Sequence, residues 1–168
     1  MSTSGESYCL DANVLIEAWQ KYYSPTFCPG YWDILISLGS SGRIFIAEQV
    51  FDEIVNTEDD LSEWLKTSRI PVRKTNSSVI TCLRSIYSSN PLHQQLVDNK
   101  KGRSLADPWV IAHAMNEQAI VVTKEEKVTA ANSTKIKIPN VCDNLDIKWI
   151  NDFDFIKQLN IKFSCTRV

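Results

Sequence analysis

The 168-residue sequence predicts a three-layer α/β/α fold around a mostly parallel central sheet of four to five strands. Three observations carry that prediction. Short apolar runs such as "RIFIA" and "AIVVT" alternate with longer segments of helical periodicity. Strands that are apolar on both faces belong in a parallel sheet covered by helices on two sides. The composition, 43% hydrophobic and 23% charged, suits a globular chain with a substantial core.

Each element follows from its own pattern. Residues 1–6 are polar and are expected to be a flexible N-terminus of one domain spanning 1–168. Residues 7–11 read as a short buried strand. "NVLIEAWQKYY" then places Leu15, Trp19 and Tyr22 at helical spacing. "YWDILISLGSSG" is a second helix ended by glycines. "RIFIA" is the second strand. In "EQVFDEIVN", Val50 with Ile54 and Phe51 with Val55 pair four residues apart, leaving Gln49, Asp52, Glu53 and Asn56 on a polar face. "DLSEWLKTS" opens on Asp60 with Glu63 three residues later, a capping-box pattern. Residues 68–77 read as a connector. "SVITCLRSIYSS" carries Val79, Leu83, Ile86 and Tyr87 on one stripe. The polar residues 89–104 precede "DPWVIAHAMNEQ", a helix with proline at its start. "AIVVT" is the third strand, "IPNVCDNL" a short helix, "IKWI" the fourth strand and "NDFDFIKQLN" the last helix. A fifth strand is expected near "KIKI" or within "SRIPVRK".

Several function classes are disfavoured. No run approaches the roughly 18 apolar residues a membrane helix needs, and "MSTSGES" has no signal-peptide pattern. The five cysteines are scattered without a C-x-x-C pair, so zinc ribbons and thioredoxin-like motifs are unsupported. Reduced thiols in a cytoplasmic protein are expected. The formal net charge of −2 does not advertise a nucleic-acid binder, although local patches can differ from the total.

The informative feature is acidic. Asp11 ends the first strand. Glu53 lies about two helical turns past the second. Asp107 opens the helix before the third strand, and Glu125 lies two residues past that strand. Parallel sheets collect ligands at the carboxyl ends of their strands. Converging carboxylates repel one another, and oxygen donors suit a hard divalent cation. A metal beside a phosphate suggests phosphodiester hydrolysis. Each acid also has a structural explanation. Asp11 or Asn13 can cap the following helix, and Asp107 before Pro108 can cap its own. Glu53 can be a solvated helix-face residue, and Glu125 a solvated charge in a lysine-rich turn.

The order of these segments resembles the PIN-domain family. "YCLDANVLI" looks like its opening motif, and "IFIAEQVFDEIV" like its strand leading into an acid-bearing helix. "ADPWVIAHA" is similar to its third motif and "AIVVTKEE" to its fourth. With "KIKIPNVC" the pattern suggests a bacterial PIN-like subfamily, and the resemblance runs from about residue 7 to the last helix. It implies a five-stranded parallel sheet and a Mg²⁺- or Mn²⁺-dependent nuclease for single-stranded or structured RNA. By motif, Asp11, Glu53, Asp107 and Glu125 are the catalytic and metal-binding acids, supported by Asn13 and Thr123. Glu125 departs from the commoner aspartate, and Glu126 and Asp52 compete locally. Lys100, Lys101, Arg103, Lys124 and Lys127 are expected to contact RNA. The histidines, His93 in a loop and His113 in a helix, have no partner at metal-ligand spacing. Trp32, Trp64 and Trp109 sit in helical settings that favour core packing over base stacking.

By analogy the chain resembles the VapC-like toxins of toxin–antitoxin pairs, which implies a protein antitoxin, a homodimer and no membrane. Two alternatives stand beside it. One is a PIN-like binding module without catalysis. The other is a haloacid-dehalogenase-like phosphatase, which needs an acid two residues after the first aspartate, where this chain has Asn13.

Overall fold

A computed structural model describes residues 5–98, 100–102 and 104–168. Five strands form one parallel sheet: β1 (Tyr8–Leu10), β2 (Ile44–Ala47), β3 (Val72–Arg73), β4 (Ile120–Val122) and β5 (Trp149–Ile150), in the order β3-β2-β1-β4-β5. The fifth strand is β3, within "SRIPVRK". It is a two-residue, half-buried edge strand, whereas β1, β2 and β4 are buried throughout.

The connecting helices are α1 (Ala12–Glu17), α2 (Pro29–Ser40), α3 (Glu48–Val55), α4 (Asp60–Ser68), α5 (Ser77–Ser89), α6 (Asp107–Glu117), α7 (Ile138–Asn144) and α8 (Asp152–Gln158). Helix α6 packs against β1, β2 and β4, and its Val110, Ile111, Ala112 and Ala114 are fully buried. The small side chains let it approach the sheet, and the Cys9 thiol reaches the Val110 carbonyl. A tryptophan cluster of Trp19, Trp32 and Trp64 joins α2 and α4 to the end of the first helical segment.

Several local expectations change. The first helix does not run evenly to residue 23: residues 18–22 form a π-helical turn. Helix α4 is capped by Asp59, whose side chain accepts from the Ser62 amide, not by an Asp60–Glu63 box. Asp107 does not cap α6; it occupies the first helical position after Ala106. His93 is not a loop residue but is fully buried in a 3₁₀ turn, with its ring 2.7 Å from the Ile86 carbonyl. The expected flexible N-terminus falls partly outside the described residues at 1–4, while the Glu6 carbonyl accepts from Arg43. Among the described residues, no helix is long and apolar enough to cross a membrane.

Candidate active site

The sheet reverses its winding direction between β1 and β4, where open α/β sheets place their ligands. Leu10 of β1 is in register with Val122 of β4, so Asp11 and Thr123 emerge side by side at the carboxyl ends. The Asp11 amide donates to the Val122 carbonyl. Its carboxylate accepts from the Ala12 amide at 2.8 Å and from the Thr123 hydroxyl at 2.8 Å. Asp11 therefore does cap α1, and it is also the centre of a larger arrangement.

Asp11, Asn13, Glu53, Asp107 and Glu125 line one cavity of about 310 Å³. Four segments far apart in sequence thus deliver five carboxyl groups, Glu17 among them, to one space. Asn13 accepts from the Lys124 amide at 3.1 Å, tying α1 to the loop after β4. The Glu125 amide donates to Thr123 Oγ1 at 3.1 Å, and its carboxylate accepts from the Ile138 amide at 2.9 Å. Among the described residues of that cavity's lining, Glu126 and Asp52 are absent. Four polar lining residues escaped the sequence reading: Glu17, Gln20, Lys21 and Ser104. Glu17 follows Asn13 by one helical turn on the same face, a spacing that could have revealed it. Ser104, whose carbonyl accepts from the Asp107 amide at 3.3 Å, carries no sequence signal.

Crowding and burial act strongly on these acids. Asp11 is 4% exposed, and burial pushes its carboxyl up to about 7; the Thr123 bond opposes this, and the Glu125 and Glu53 charges add to it. Asp107 is 8% exposed and is pushed up to about 8, first by burial and then by the charges of Asp11 and Glu125. Desolvation also raises Glu53, although that residue as a whole is exposed. A cation would offset both the mutual repulsion and the lost hydration. The all-oxygen donor set suits Mg²⁺ or Mn²⁺ by hardness. The carboxylates are gathered rather than closed around a point. Among the described residues, no group of three or more acid, histidine or cysteine side chains is arranged to hold a metal ion as it stands.

The basic residues divide. Lys100 and Lys101 line an adjoining groove of about 900 Å³ that reaches Asp107 and Glu125, together with Lys135 and Lys137. The latter two were not singled out, because their proximity depends on the course of the loop before α7. Lys124 was expected to meet RNA, but its ammonium lies 2.8 Å from Asp152 and 3.5 Å from Glu17, over the Tyr22 ring. Burial opposes its charge, but the bond to Asp152 and the two acids outweigh that and raise its pKa. Its charge is satisfied within the protein. Lys127 is paired with Asp143 at 2.6 Å. Arg103 lies outside the described residues. Trp32, Trp64 and Trp109 all pack against the core as the helical spacing suggested, and Trp109 also lies on the wall of a third cavity, of about 600 Å³, beside Glu53.

The model of a family described as a domain of unknown function, DUF4411, matches residues 8–163. No curated protein matches the chain in sequence. Among solved structures, VapBC2 from Rickettsia felis, bound to a DNA fragment from its promoter, is similar at 15% identity, covering 86% of this chain and 97% of that one, with a TM-score of 0.54. FitAcB from Neisseria gonorrhoeae is similar at 15% identity, covering 87% and 98%, with a TM-score of 0.56. VapBC-1 from nontypeable Haemophilus influenzae is similar at 13% identity, covering 86% and 96%, with a TM-score of 0.52. At such identities the likeness shows the fold, and the fold is PIN-like.

Proposed function

The chain belongs to the DUF4411 family and has a PIN-like fold, and from that premise we propose that it is a metal-dependent endoribonuclease acting on single-stranded or structured RNA. The observation that carries this reading is the meeting of Asp11, Glu53, Asp107 and Glu125 in one cavity at the switch point of the sheet. These four acids would hold Mg²⁺ or Mn²⁺. In such a site a divalent cation supplies activation of water and neutralisation of charge at the phosphate. Thr123 and the Ala12 amide fix the Asp11 carboxylate, and Asn13 fixes the loop that carries Glu125. Lys100 and Lys101, exposed beside Asp107, would draw the RNA backbone toward the acids.

The structural neighbours are VapBC and FitAcB proteins. They support the toxin of a toxin–antitoxin pair as the biological role, with a protein antitoxin as partner; the homodimer is proposed from the family resemblance alone. Incubation of single-stranded RNA with Mn²⁺ tests the chemistry: wild type cuts, and Asp107→Asn does not. Equal cutting by both proteins, or by neither, contradicts the mechanism. RNA bound by wild type but left intact would instead favour a binding module. For the toxin role, induced expression of wild type arrests bacterial growth, and normal growth with active protein would overturn it.

A further inference from the structure

The acidic cavity adjoins two others of opposite character. The groove reached through Asp107 and Glu125 carries four lysines. The cavity reached through Glu53 and Ser104 carries, among the described residues, no basic side chain. It has instead Trp109, Leu105, Gln49, Asn56 and Asp52. Leu105 is 55% exposed, an unusual position for a leucine two residues from a buried acid. Gln49 donates to Thr75 through its amide nitrogen, and its carbonyl is buried without a partner among the described residues.

We infer that this second cavity is a nucleobase subsite, so that the substrate strand is held by its backbone on one side of the cleaved phosphate and by one base on the other. The inference rests on the nuclease reading above and extends it to how the substrate is held. A phosphate entering this cavity meets the Asp52 carboxylate. A base is neutral and flat, and suits the ring of Trp109 and the side chain of Leu105, as bases suit aromatic platforms elsewhere. Its edge offers N–H donors to the acceptors of Asp52 and Asn56. Lys135 and Lys137 extend the opposite arm, where the phosphates would lie.

The test is fluorescence anisotropy of labelled single-stranded oligoribonucleotides with Ca²⁺, with one abasic position moved along the strand. Wild type loses affinity on the order of tenfold when the abasic position reaches one particular site. In Leu105→Ala and Trp109→Phe that loss shrinks, because the subsite is already impaired. Leu105 is exposed, so its replacement leaves the fold intact. The salt slope of binding is unchanged in Leu105→Ala, and falls by about 0.7 for each of Lys135→Ala and Lys137→Ala. A flat abasic scan overturns the inference, and so does an abasic loss untouched by both pocket variants. Cleavage with a flat scan leaves the nuclease standing without the subsite. The predicted pattern without cleavage leaves the subsite and removes the nuclease. No RNA binding at all removes both.

Discussion

The Thr123 hydroxyl donates to Asp11 Oδ2 at 2.8 Å, across 112 residues of sequence, and accepts the Glu125 amide on the same oxygen. One buried side chain therefore sets the position of two acids. Thr123→Val keeps the shape and removes both bonds. It leaves a buried carboxylate and amide short of partners, at a cost of about 1–3 kcal/mol, read as a fall in Tm of several degrees. RNA cleavage falls as well, since Asp11 loses a fixed orientation. An unchanged Tm and an unchanged rate would show that the hydroxyl positions nothing.

Burial and crowding raise Asp11 to about 7 and Asp107 to about 8, above the 3.8 of an unperturbed aspartate. The folded state therefore binds more protons than the unfolded one between those values, and stability falls as pH rises through them. His113 acts in the opposite sense below 6.5, because burial holds its ring neutral. The clean window is pH 6.5 to 8. In EDTA, Tm drops across that window for wild type and drops less for Asp107→Asn. A wild-type Tm that rises there contradicts the electrostatic description.

Lys124 is 12% exposed and its partner Asp152 is 5% exposed at the side chain. Lys124→Met leaves Asp152 buried without its nearest cation, which costs about 3 kcal/mol. Lys124→Met combined with Asp152→Asn recovers part of that loss. Chemical denaturation of the three proteins measures it. If Lys124 served RNA and not the fold, Lys124→Met would weaken binding and leave stability unchanged.

Glu125 and Glu126 adjoin in sequence, yet only Glu125 lines the acidic cavity. Glu125→Gln is expected to lower apparent Mn²⁺ affinity at least tenfold in the cleavage assay, the effect typical of losing a ligand or its close support. Glu126→Gln has no effect. Equal losses in both variants would mean that the loop as a whole, and not one carboxylate, serves the site.

Much of this was legible before any coordinates. Apolar runs three or four residues long marked β1, β2 and β4, because parallel strands are buried on both faces. Strand β3 was narrowed only to one of two segments, because its Val72 and Arg73 lack the apolar run that marks "IKWI" at the other edge. The π-helical turn at 18–22 was hidden because apolar spacing does not report one extra residue in a turn. That the four acids approach one space was expected from the order of the motifs, because Glu53 sits inside α3 and position alone left capping or solvated readings open. The inward turn of Lys124 was not, because its partners Glu17 and Asp152 come from distant elements. Lys135 and Lys137 join the site through a loop whose path no periodicity encodes.

Asp11, Glu53, Asp107 and Glu125 are proposed to act together in holding divalent metal. Isothermal titration with Mn²⁺ at pH 7, repeated in buffers of different ionisation enthalpy, tests this most directly. Binding is expected to release protons, because Asp11 and Asp107 are partly protonated at that pH. Asp11→Asn is expected to abolish the binding, and Asp107→Asn both to weaken it and to reduce the proton release. Absence of Mn²⁺ binding by folded wild type, or equal binding by Asp11→Asn, would contradict the proposal.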